Sequence, residues 1–501
     1  MHVVLILFWM LLNTLLFVFI LHELYLLISA LIAIKKNKKR IVTPTLDTYP
    51  EVCIQLPIYN EKHVVVELIN CVLGIKYPAQ KLTIQILDDS TDETTAIIAS
   101  HLASLNDNSG TIEHVRRSNR EGFKAGALAH GMDLTTAEFF AIFDADFLPD
   151  PNFLLETLPK FKDNQVGVVQ SRWGHNNESY SILTRAEGLM LDAHFSIEQL
   201  GRHGSGHFLN FNGTAGIWRR SCIDDAGGWQ GDTLTEDLDL SFRAQIKKWK
   251  IDYLFHVISP AELPLTFNAY RNQQYRWSKG AAECFKKNAK KLWIADIGLG
   301  SKVIGTFHLL NSSLYIVMFL LLLTGPWVFY AHQHTDVLDS VYFWITSFGM
   351  LVNLLLIVIL FTGRILCGKK SWRDILYFFP TVFAFFAFSL GIATHMAFGV
   401  IQGFRSIKSE FVRTPKFGKD ASKRVRKLES YGQKSEFNLS IIESILLLYG
   451  FFWLYIGIAS VNVFMIFYSI LIIVGFSISL FFKNNTFKLK RNTTLEPAPS
   501  Q

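Results

Sequence analysis

Two carboxylates separated by one residue, Asp144 and Asp146, directly follow an apolar run of the chain. Hard divalent cations such as Mg²⁺ prefer oxygen ligands and are usually held by one or two carboxylates together with substrate phosphates. Asp88 and Asp89 follow an earlier apolar run, and Lys124 adds a cation among glycines that permit close approach of the backbone. A lone Asp-x-Asp is more often a solvated turn, but carboxylates and a lysine around one crevice indicate a site for a nucleoside diphosphate and a metal ion.

A second acidic group, Thr235-Glu236-Asp237, opens an amphipathic helical pattern. The amino-terminal end of a helix favours negative charge, so the acids suit this place structurally, and Thr235 could simply cap the helix. In the functional interpretation one carboxylate is a general base that removes a proton from an attacking hydroxyl. Asp237 is the preferred candidate, and the pattern alone does not separate it from Glu236.

The segment Gln273-Gln274-Tyr275-Arg276-Trp277 combines two amides, a guanidinium and a large aromatic face. Arginine can neutralise negative charge that develops on a departing diphosphate, and tryptophan can stack on the apolar face of a sugar ring. The alternative is a basic, aromatic helix at a membrane interface, where Trp and Arg are also common.

These side chains need a scaffold, and the sequence predicts an α/β sheet. Apolar runs at Val52–Pro57, Leu82–Leu87 and Phe139–Phe143 read as short strands, and a helical periodicity follows the first of them. Strands that alternate with helices form mostly parallel sheets, whose ligands bind at the carboxyl ends of the strands. The acidic clusters fall at those ends.

The composition adds a membrane part to this domain. Of 501 residues, 50% are hydrophobic and only 18% are charged, against about a quarter in ordinary soluble proteins. The excess lies at the start of the chain and in its last 200 residues, which excludes a wholly soluble protein and a disordered chain. The net charge of +7 carries no basic block interleaved with aromatics, so we expect no nucleic-acid partner. No Gly-x-Gly-x-x-Gly follows a strand, which argues against a dinucleotide cofactor.

Several apolar segments are long enough to span a bilayer. Val3–Ile34 is the first, and the basic run Lys35–Arg40 after it predicts that the amino terminus lies outside and the α/β domain in the cytoplasm. Val303–Tyr330 and Val341–Thr362 each qualify as one span, and Phe437–Phe482 is long enough for two helices.

The segment Asp374–Phe404 is ambiguous because it is apolar but interrupted by proline and glycines. As a sixth span it would place the basic loop 405–436 and the basic tail outside, against the positive-inside rule. We therefore predict a re-entrant or interfacial helix and five true spans, with a sixth span as the alternative.

Taken in order, these motifs resemble those of processive family 2 glycosyltransferases such as the cellulose and hyaluronan synthases. The resemblance is carried by Asp88-Asp89, Asp144-x-Asp146, Thr235-Glu236-Asp237 and Gln273-Gln274-x-Arg276-Trp277. Their surroundings, together with Phe211-Asn212-Gly213-Thr214-Ala215-Gly216, are similar to the plant cellulose-synthase-like A and C proteins, the mannan and glucan synthases. The dense part of the match covers about Val52 to Trp293.

The resemblance implies roles for individual residues. Asp237, Glu236 and Arg276 would be catalytic, and Asp144 and Asp146 would hold Mg²⁺ or Mn²⁺. The nucleotide sugar would be bound by Asp88, Asp89, Lys124, Asp144, Gln273 and Arg276. The acceptor would contact Phe211, Asn212, Gly213, Thr214 and Trp277. The segment from Phe411 to Lys416, with Thr414, resembles the gating loop of cellulose synthases, although Arg413-Thr414-Pro415 departs from it in detail.

The resulting expectation is a cytoplasmic α/β domain of the GT-A type, with a Rossmann-like mixed sheet, joined to an α-helical transmembrane bundle. Its parts are a membrane anchor at 1–40, the glycosyltransferase domain at 50–300, membrane or interfacial helices at 301–482 with a gating-like loop at 405–436, and a polar tail at 483–501. The implied activity is inverting transfer of hexose from GDP-mannose or UDP-glucose to a β-1,4-linked polysaccharide, coupled to export. A glycolipid synthase with a lipid acceptor, and a nucleotide-sensing membrane transporter, are the alternatives. Membrane lipids are expected partners.

Overall fold

A computed structural model describes residues 2–37, 46–105, 111–333, 339–409, 412–418 and 439–481. Outside these ranges lie residues 38–45, the predicted tail at 483–501 and most of the predicted loop at 405–436.

The elements of the α/β unit alternate along the chain as the sequence predicts. Its strands are β1 (Val52–Ile58), β2 (Leu82–Asp88), β3 (Thr111–Val115), β4 (Phe139–Ile142), β5 (Val166–His175), β6 (Gly216–Arg219) and β7 (Lys250–Ala261). Its helices are α2 (Val65–Leu73), α3 (Thr94–Ser104), α4 (Phe123–Asp133), α5 (Phe153–Thr157), α6 (Ile182–Ala193), α7 (Leu200–Ser205), α8 (Arg220–Asp225), α9 (Glu236–Ile246) and α10 (Phe267–Ile294).

The seven strands form one mixed sheet in the order β3-β2-β1-β4-β6-β5-β7. β6 alone runs antiparallel to its neighbours β4 and β5, and the other pairs are parallel. Six carboxyl ends therefore share one edge of the sheet with the start of β6. The predicted GT-A fold with a mostly parallel sheet is confirmed, and the loop from Asn212 to Ala215 reaches the site edge because it leads into the reversed strand.

Two apolar cores cover the two faces of this sheet. One packs the residues of α2 and α5 against β1 and β4, and the other packs α4, α8 and α9 against the opposite face. The strands read as continuous apolar runs because both of their faces are buried, as is usual for parallel sheets.

The remaining helices are long and apolar. They are α1 (His2–Asn37), α11 (Leu299–Leu310), α12 (Leu314–Gln333), α13 (Asp339–Leu366), α14 (Trp372–Phe404), α15 (Leu439–Ala459) and α16 (Val463–Phe481). Within the described ranges, six helical stretches are long and apolar enough to cross a membrane, with α11 and α12 counted as one. Short 3₁₀ geometry at Asn311–Ser313 divides that stretch, where the sequence predicted one uninterrupted span.

Glycines let these helices approach the α/β unit and one another closely. A Cβ on Gly201 of α7 would overlap the backbone of α1 at Leu26, and one on Gly391 of α14 would overlap the backbone of α16 at Gly475. Close backbone approach of this kind is common between membrane helices.

Helix α14 is continuous through Pro380 and contacts the α/β unit near both of its ends. Near its start, Phe378 packs with Leu189 of α6. Near its end, a Cβ on Gly403 would meet the backbone oxygen of Lys279 in α10 at 2.6 Å. Between these points it crosses α16, where Gly391 meets Gly475, and it is itself one of the six stretches long enough to span a membrane.

Candidate active site

An open crevice lies at the carboxyl edge of the sheet. It is lined by the ends of β1, β2, β4, β5 and β7, by α4, α6, α9 and α10, and by the segment 412–418. The empty space of the crevice is about 1290 Å³, and this figure includes the open solvent in its mouth.

The two aspartates after β4 each contact a lysine. Asp144 Oδ1 accepts a hydrogen bond from Lys124, while the backbone N–H of Asp144 donates to Thr214 Oγ1 over 2.8 Å. Asp146 Oδ2 lies 2.6 Å from Lys416 Nζ and also accepts from the backbone N–H of Glu262 at 3.0 Å. Both carboxylates therefore face the crevice with a positive partner beside them.

Lys124 sits in the first turn of α4, which follows Gly122 in the left-handed region at φ +69°. Its Nζ also donates to the backbone oxygen of Gly213 at 2.9 Å. Burial disfavours the charged form of Lys124, but the carboxylates of Asp144 and Glu236 outweigh that cost and raise its pKa. This ammonium stays charged at neutral pH and ties the turn after β4 to the loop before β6.

Glu236 and Asp237 occupy the first turn of α9 and line the crevice. Thr235 stands at the cap position, but among the described residues its side chain accepts no capping hydrogen bond. Burial, followed by the charge of Glu236, raises the pKa of Asp237 to about 7, although the backbone N–H of Leu238 donates to it. Burial also raises the pKa of Glu236. A carboxyl group that titrates near neutrality is well matched to general-base catalysis.

Helix α10 carries Gln273, Arg276 and Trp277 to the opposite wall of the crevice. Burial lowers the pKa of the Arg276 guanidinium from its usual value, and the nearest carboxylates, Glu236 and Asp144, act in the opposite direction. Arg276 Nη2 reaches Thr414 Oγ1 at 3.5 Å. The guanidinium thus lies between the acids and the segment 412–418.

The segment 412–418 is docked over the crevice by several polar contacts. Arg413 forms an ion pair with Glu61 at 2.8 Å, and Lys416 pairs with Asp146. The carboxylate of Glu262 accepts hydrogen bonds from the backbone N–H groups of Phe417 at 2.9 Å and Gly418 at 2.6 Å. The predicted gating-like segment therefore contacts the metal-ligand candidate directly.

The structure brings most of the predicted site residues into this one crevice. Those that line it are Asp89, Lys124, Asp144, Asp146, Asn212, Gly213, Glu236, Asp237, Gln273, Arg276, Trp277, Thr414 and Lys416. Phe411 lies outside the described residues.

Three residues predicted to contact the donor or the acceptor do not line the crevice. Asp88 is fully buried behind the crevice, where its carboxylate accepts from Ser90 N, Thr95 Oγ1 and His114 Nε2. Phe211 packs in the core against Trp218, and Thr214 is buried with its hydroxyl on Asp144 N. These residues position neighbours, and Asp89, held by Arg117 at 2.6 Å, is the member of its pair that faces the crevice.

Several residues of the crevice were missed by the sequence motifs, among them three carboxylates and a tryptophan. Glu61 and Glu262 follow the ends of β1 and β7, and Trp173 lies near the end of β5. The strand-end rule that found Asp144 applies to these residues as well. The ends of β5 and β7 were not located from the sequence, and the predicted end of β1 was not followed as far as Glu61. Glu187 projects from α6, where Ala186 and Gly188–Leu191 surround it with small and apolar residues.

Carboxylate oxygens are the available ligands for a metal ion at this site. Among the residues that the structure describes, no three His, Cys, Asp or Glu side chains cluster closely enough to hold an ion unaided. Asp144 and Asp146 could together supply two carboxylate ligands from one turn, and the remaining ligands would have to come from substrate phosphates and water, as is usual for Mg²⁺.

The mixed sheet and the acids at its carboxyl edge have the arrangement of a GT-A fold. Residues 50–280 match the family model described as "Glycosyltransferase like family 2".

Curated relatives match the same half of the chain. The probable glucomannan 4-beta-mannosyltransferase 7 of Oryza sativa subsp. japonica is 43% identical over 270 residues, which cover 53% of this chain and 46% of the relative. Glucomannan 4-beta-mannosyltransferase 1 of Cyamopsis tetragonoloba is 43% identical over 249 residues, 49% of this chain and 47% of the relative. The chain thus spans just under half the length of these curated relatives.

A solved structure shares the fold at low identity. The mannosyltransferase PcManGT from Pyrobaculum calidifontis, in complex with GDP-Man and Mn²⁺, superimposes with a TM-score of 0.53 and 17% identity. The comparison covers 79% of this chain and all of that one.

Proposed function

We propose that this protein is a membrane-embedded, inverting glycosyltransferase that builds a β-1,4-linked polysaccharide, with mannose from GDP-mannose as its first candidate donor. The observation that carries the proposal is the convergence of Asp144, Lys124, Asp237 and Arg276 on one crevice. The names of the curated relatives favour mannose, and UDP-glucose is the second donor to test.

Asp144 and Asp146 fit a divalent cation, because both are carboxylates that line the crevice where a diphosphate would lie. Such an ion, Mn²⁺ or Mg²⁺, would neutralise charge on the phosphates of the leaving group. Asp89, held in place by Arg117, is positioned to meet the nucleoside end of the donor. Lys124 and Arg276 add two cations around the diphosphate.

Asp237 would act as the base. Its carboxylate removes the proton from an acceptor hydroxyl, the hydroxyl oxygen forms a bond to the anomeric carbon, and the bond from that carbon to the phosphate oxygen breaks. The nucleoside diphosphate leaves on the opposite face, so an α-linked donor gives a β-linkage. Arg276 stabilises the negative charge that develops on the departing diphosphate.

The organisation of the helices supports a five-span topology with α14 at the interface. The segment 412–418 contacts Asp146 and must lie on the same side as the active site. Because α14 contacts the α/β unit near both of its ends, both ends should lie on the same side of the membrane as that unit. A topology with five spans meets this condition. The domain limits 1–40, 50–300, 301–482 and 483–501 belong to this proposal.

The test is a donor screen with the purified full chain in lipid nanodiscs. We expect incorporation of radiolabelled mannose from GDP-mannose, in the presence of Mn²⁺ or Mg²⁺, into a polymer that endo-β-1,4-mannanase degrades. A product extracted into organic solvent would instead support a glycolipid synthase. Binding of GDP-mannose without any turnover would contradict both enzymatic proposals and favour the sensing transporter.

A further inference from the structure

We propose that Glu187 and Trp173 bind the terminal sugar of the acceptor, with Gln273 as a third contact, in a subsite beside Trp277. None of the sequence motifs includes Glu187 or Trp173. The inference rests on the proposed function, since it assigns the acceptor within the same crevice.

The first observation is a buried carboxyl group that faces the crevice without a partner. Glu187 lines the crevice with only 2% of its surface exposed. Neither of its side-chain oxygens has a hydrogen-bond partner among the residues that the structure describes. Leaving a buried polar group without a hydrogen bond is unfavourable, and such groups are rare in folded proteins. A ligand that supplies the missing hydrogen bonds explains why the position is occupied by glutamate.

Two neutral side chains on the same crevice also have a buried polar atom without a hydrogen-bond partner. Trp173 Nε1 is a buried donor, and Gln273 Oε1 is a buried acceptor, and neither is paired within the described part of the chain. Three buried polar groups without hydrogen bonds, carried by β5, α6 and α10, therefore face one cavity. A packing defect at a single position does not account for all three. They offer both donor and acceptor character to a single ligand.

The aromatic side chains give the subsite its shape. The rings of Trp173 and Trp277 lie 6.5 Å apart, and Phe147 and Phe195 each lie 5.2 Å from Trp173. This packing holds Trp173 in place. Large aromatic faces with a few fixed polar groups are typical of pockets for small ligands, and a pyranose has both an apolar face and a ring of hydroxyls.

The protonation of Glu187 suits this role. Burial raises the pKa of Glu187 to about 8, and the nearby Lys416 opposes the shift only in part. At pH 7 the side chain is then mostly a neutral carboxylic acid, which donates through O–H and accepts through C=O. Two adjacent sugar hydroxyls can satisfy both functions at once, and a glutamine side chain presents the same donor and acceptor pair.

The experiment compares Glu187→Ala and Glu187→Gln in the full chain, with GDP-mannose as donor and β-1,4-mannohexaose as acceptor. We expect Glu187→Ala to raise KM for mannohexaose at least about tenfold, while KM for GDP-mannose changes less than threefold. Glu187→Gln should stay within threefold of wild type for both. An effect of Glu187→Ala on the donor KM alone, or a failure of glutamine to rescue, would overturn the assignment.

A matched control separates binding from folding. Leu183 lies one turn earlier on α6 and is fully buried against Phe267, away from the crevice. We expect Leu183→Ala to lower the thermal unfolding temperature at least as much as Glu187→Ala without changing KM for mannohexaose. A rise in that KM equal to the one in Glu187→Ala would overturn the proposal.

Binding of mannohexaose without donor, measured by titration calorimetry, distinguishes this inference from the proposed function. Binding by wild type and its loss in Glu187→Ala support the subsite even if no sugar is transferred, in which case the proposed polymerase activity alone fails. Equal binding by both proteins, or binding by neither, overturns the subsite, whatever the transfer activity.

Discussion

Lys416 Nζ lies 2.6 Å from Asp146 Oδ2, so a residue of the segment 412–418 neutralises one of the two carboxylates suited to a metal ion. The side chain of Asp146 is 4% exposed and that of Lys416 is 14% exposed, which leaves little water to screen the pair. Burial opposes the charge of Lys416, but Asp146 outweighs it and raises the pKa of Lys416. A cation bound at Asp146 and the ammonium of Lys416 therefore repel one another.

This repulsion predicts that Lys416→Met binds Mn²⁺ more tightly than wild type when no nucleotide is present. We expect the dissociation constant to fall at least about threefold, because a like charge beside the ligand is removed. The measurement is the free-ion Mn²⁺ signal in electron paramagnetic resonance. Lys76→Met removes an exposed lysine outside the crevice and should leave the constant unchanged. Weaker Mn²⁺ binding by Lys416→Met would contradict the prediction.

Glu262→Gln should release the segment 412–418 from the crevice. The carboxylate accepts two backbone hydrogen bonds from Phe417 and Gly418, and hydrogen bonds to a charged group contribute roughly 1.5–3 kcal/mol. We expect faster cleavage by trypsin after Arg413 and Lys416, by about tenfold or more. Glu138→Gln, which removes a half-exposed carboxylate paired with Arg219, is the control and should cleave at the wild-type rate.

Asp237→Asn should lower kcat by about 10²–10⁴, the usual contribution of a general base, with little change in the affinity for the nucleotide. In wild type the base must be ionised, and the pKa of Asp237 is raised to about 7. We therefore expect kcat/KM to be low at pH 6, to rise as pH passes through about 7, and to level off above it. Activity that falls with increasing pH over this range would exclude Asp237 as the base.

Much of this site could be predicted from the sequence because chemistry and topology coincide in it. The acids after β4 have types and positions that are informative locally, and the strand-end rule places them at the carboxyl edge of the sheet. The acids at the start of α9 follow no strand end, and the resemblance to family 2 glycosyltransferases is what grouped them with Asp144. What could not be predicted depends on contacts between distant segments. Asp88 and Asp89 are adjacent and identical in type, and only the packing of His114 and Thr95 around Asp88 decides which of them faces the crevice.

The apolar helices, too, could be predicted only in part from the sequence. Hydrophobicity located α1, α13, α15 and α16 to within a few residues, since length and composition define such helices. Pro380 and the glycines of α14 suggested an interrupted segment, but the helix continues through them. Glycine in that helix allows a neighbouring helix to approach closely, as the contact of Gly391 with the backbone of Gly475 shows. A single sequence does not distinguish a glycine that permits close helix packing from one that interrupts a helix.

Gly213→Ala should reduce kcat at least about tenfold, whereas Gly206→Ala should not. Both glycines have positive φ, +81° and +71°, so an alanine adds a similar backbone cost of about 1 kcal/mol at each. A Cβ at Gly213 would lie 2.9 Å from Asp237 Oδ2, while at Gly206 nothing lies within 4 Å. The measurements are the thermal unfolding temperature and kcat of both variants. If both lose similar stability and only Gly213→Ala loses kcat, the alanine at position 213 displaces the side chain of Asp237.

The five-span arrangement predicts which sites can be labelled from each side of the membrane. Ser371 and Ser406 flank α14, and Val461, 82% exposed, lies in the turn between α15 and α16. In a variant with its five cysteines replaced, single cysteines at Ser371 and Ser406 should react with a membrane-impermeant maleimide from the same side of sealed vesicles. A cysteine at Val461 should react only from the opposite side, because one span separates it from the segment that docks on Asp146. If Ser371→Cys and Ser406→Cys reacted from opposite sides, α14 would be a sixth span. The segment 412–418 would then lie on the same side as Asp146 only if one of the other five helices did not cross the membrane.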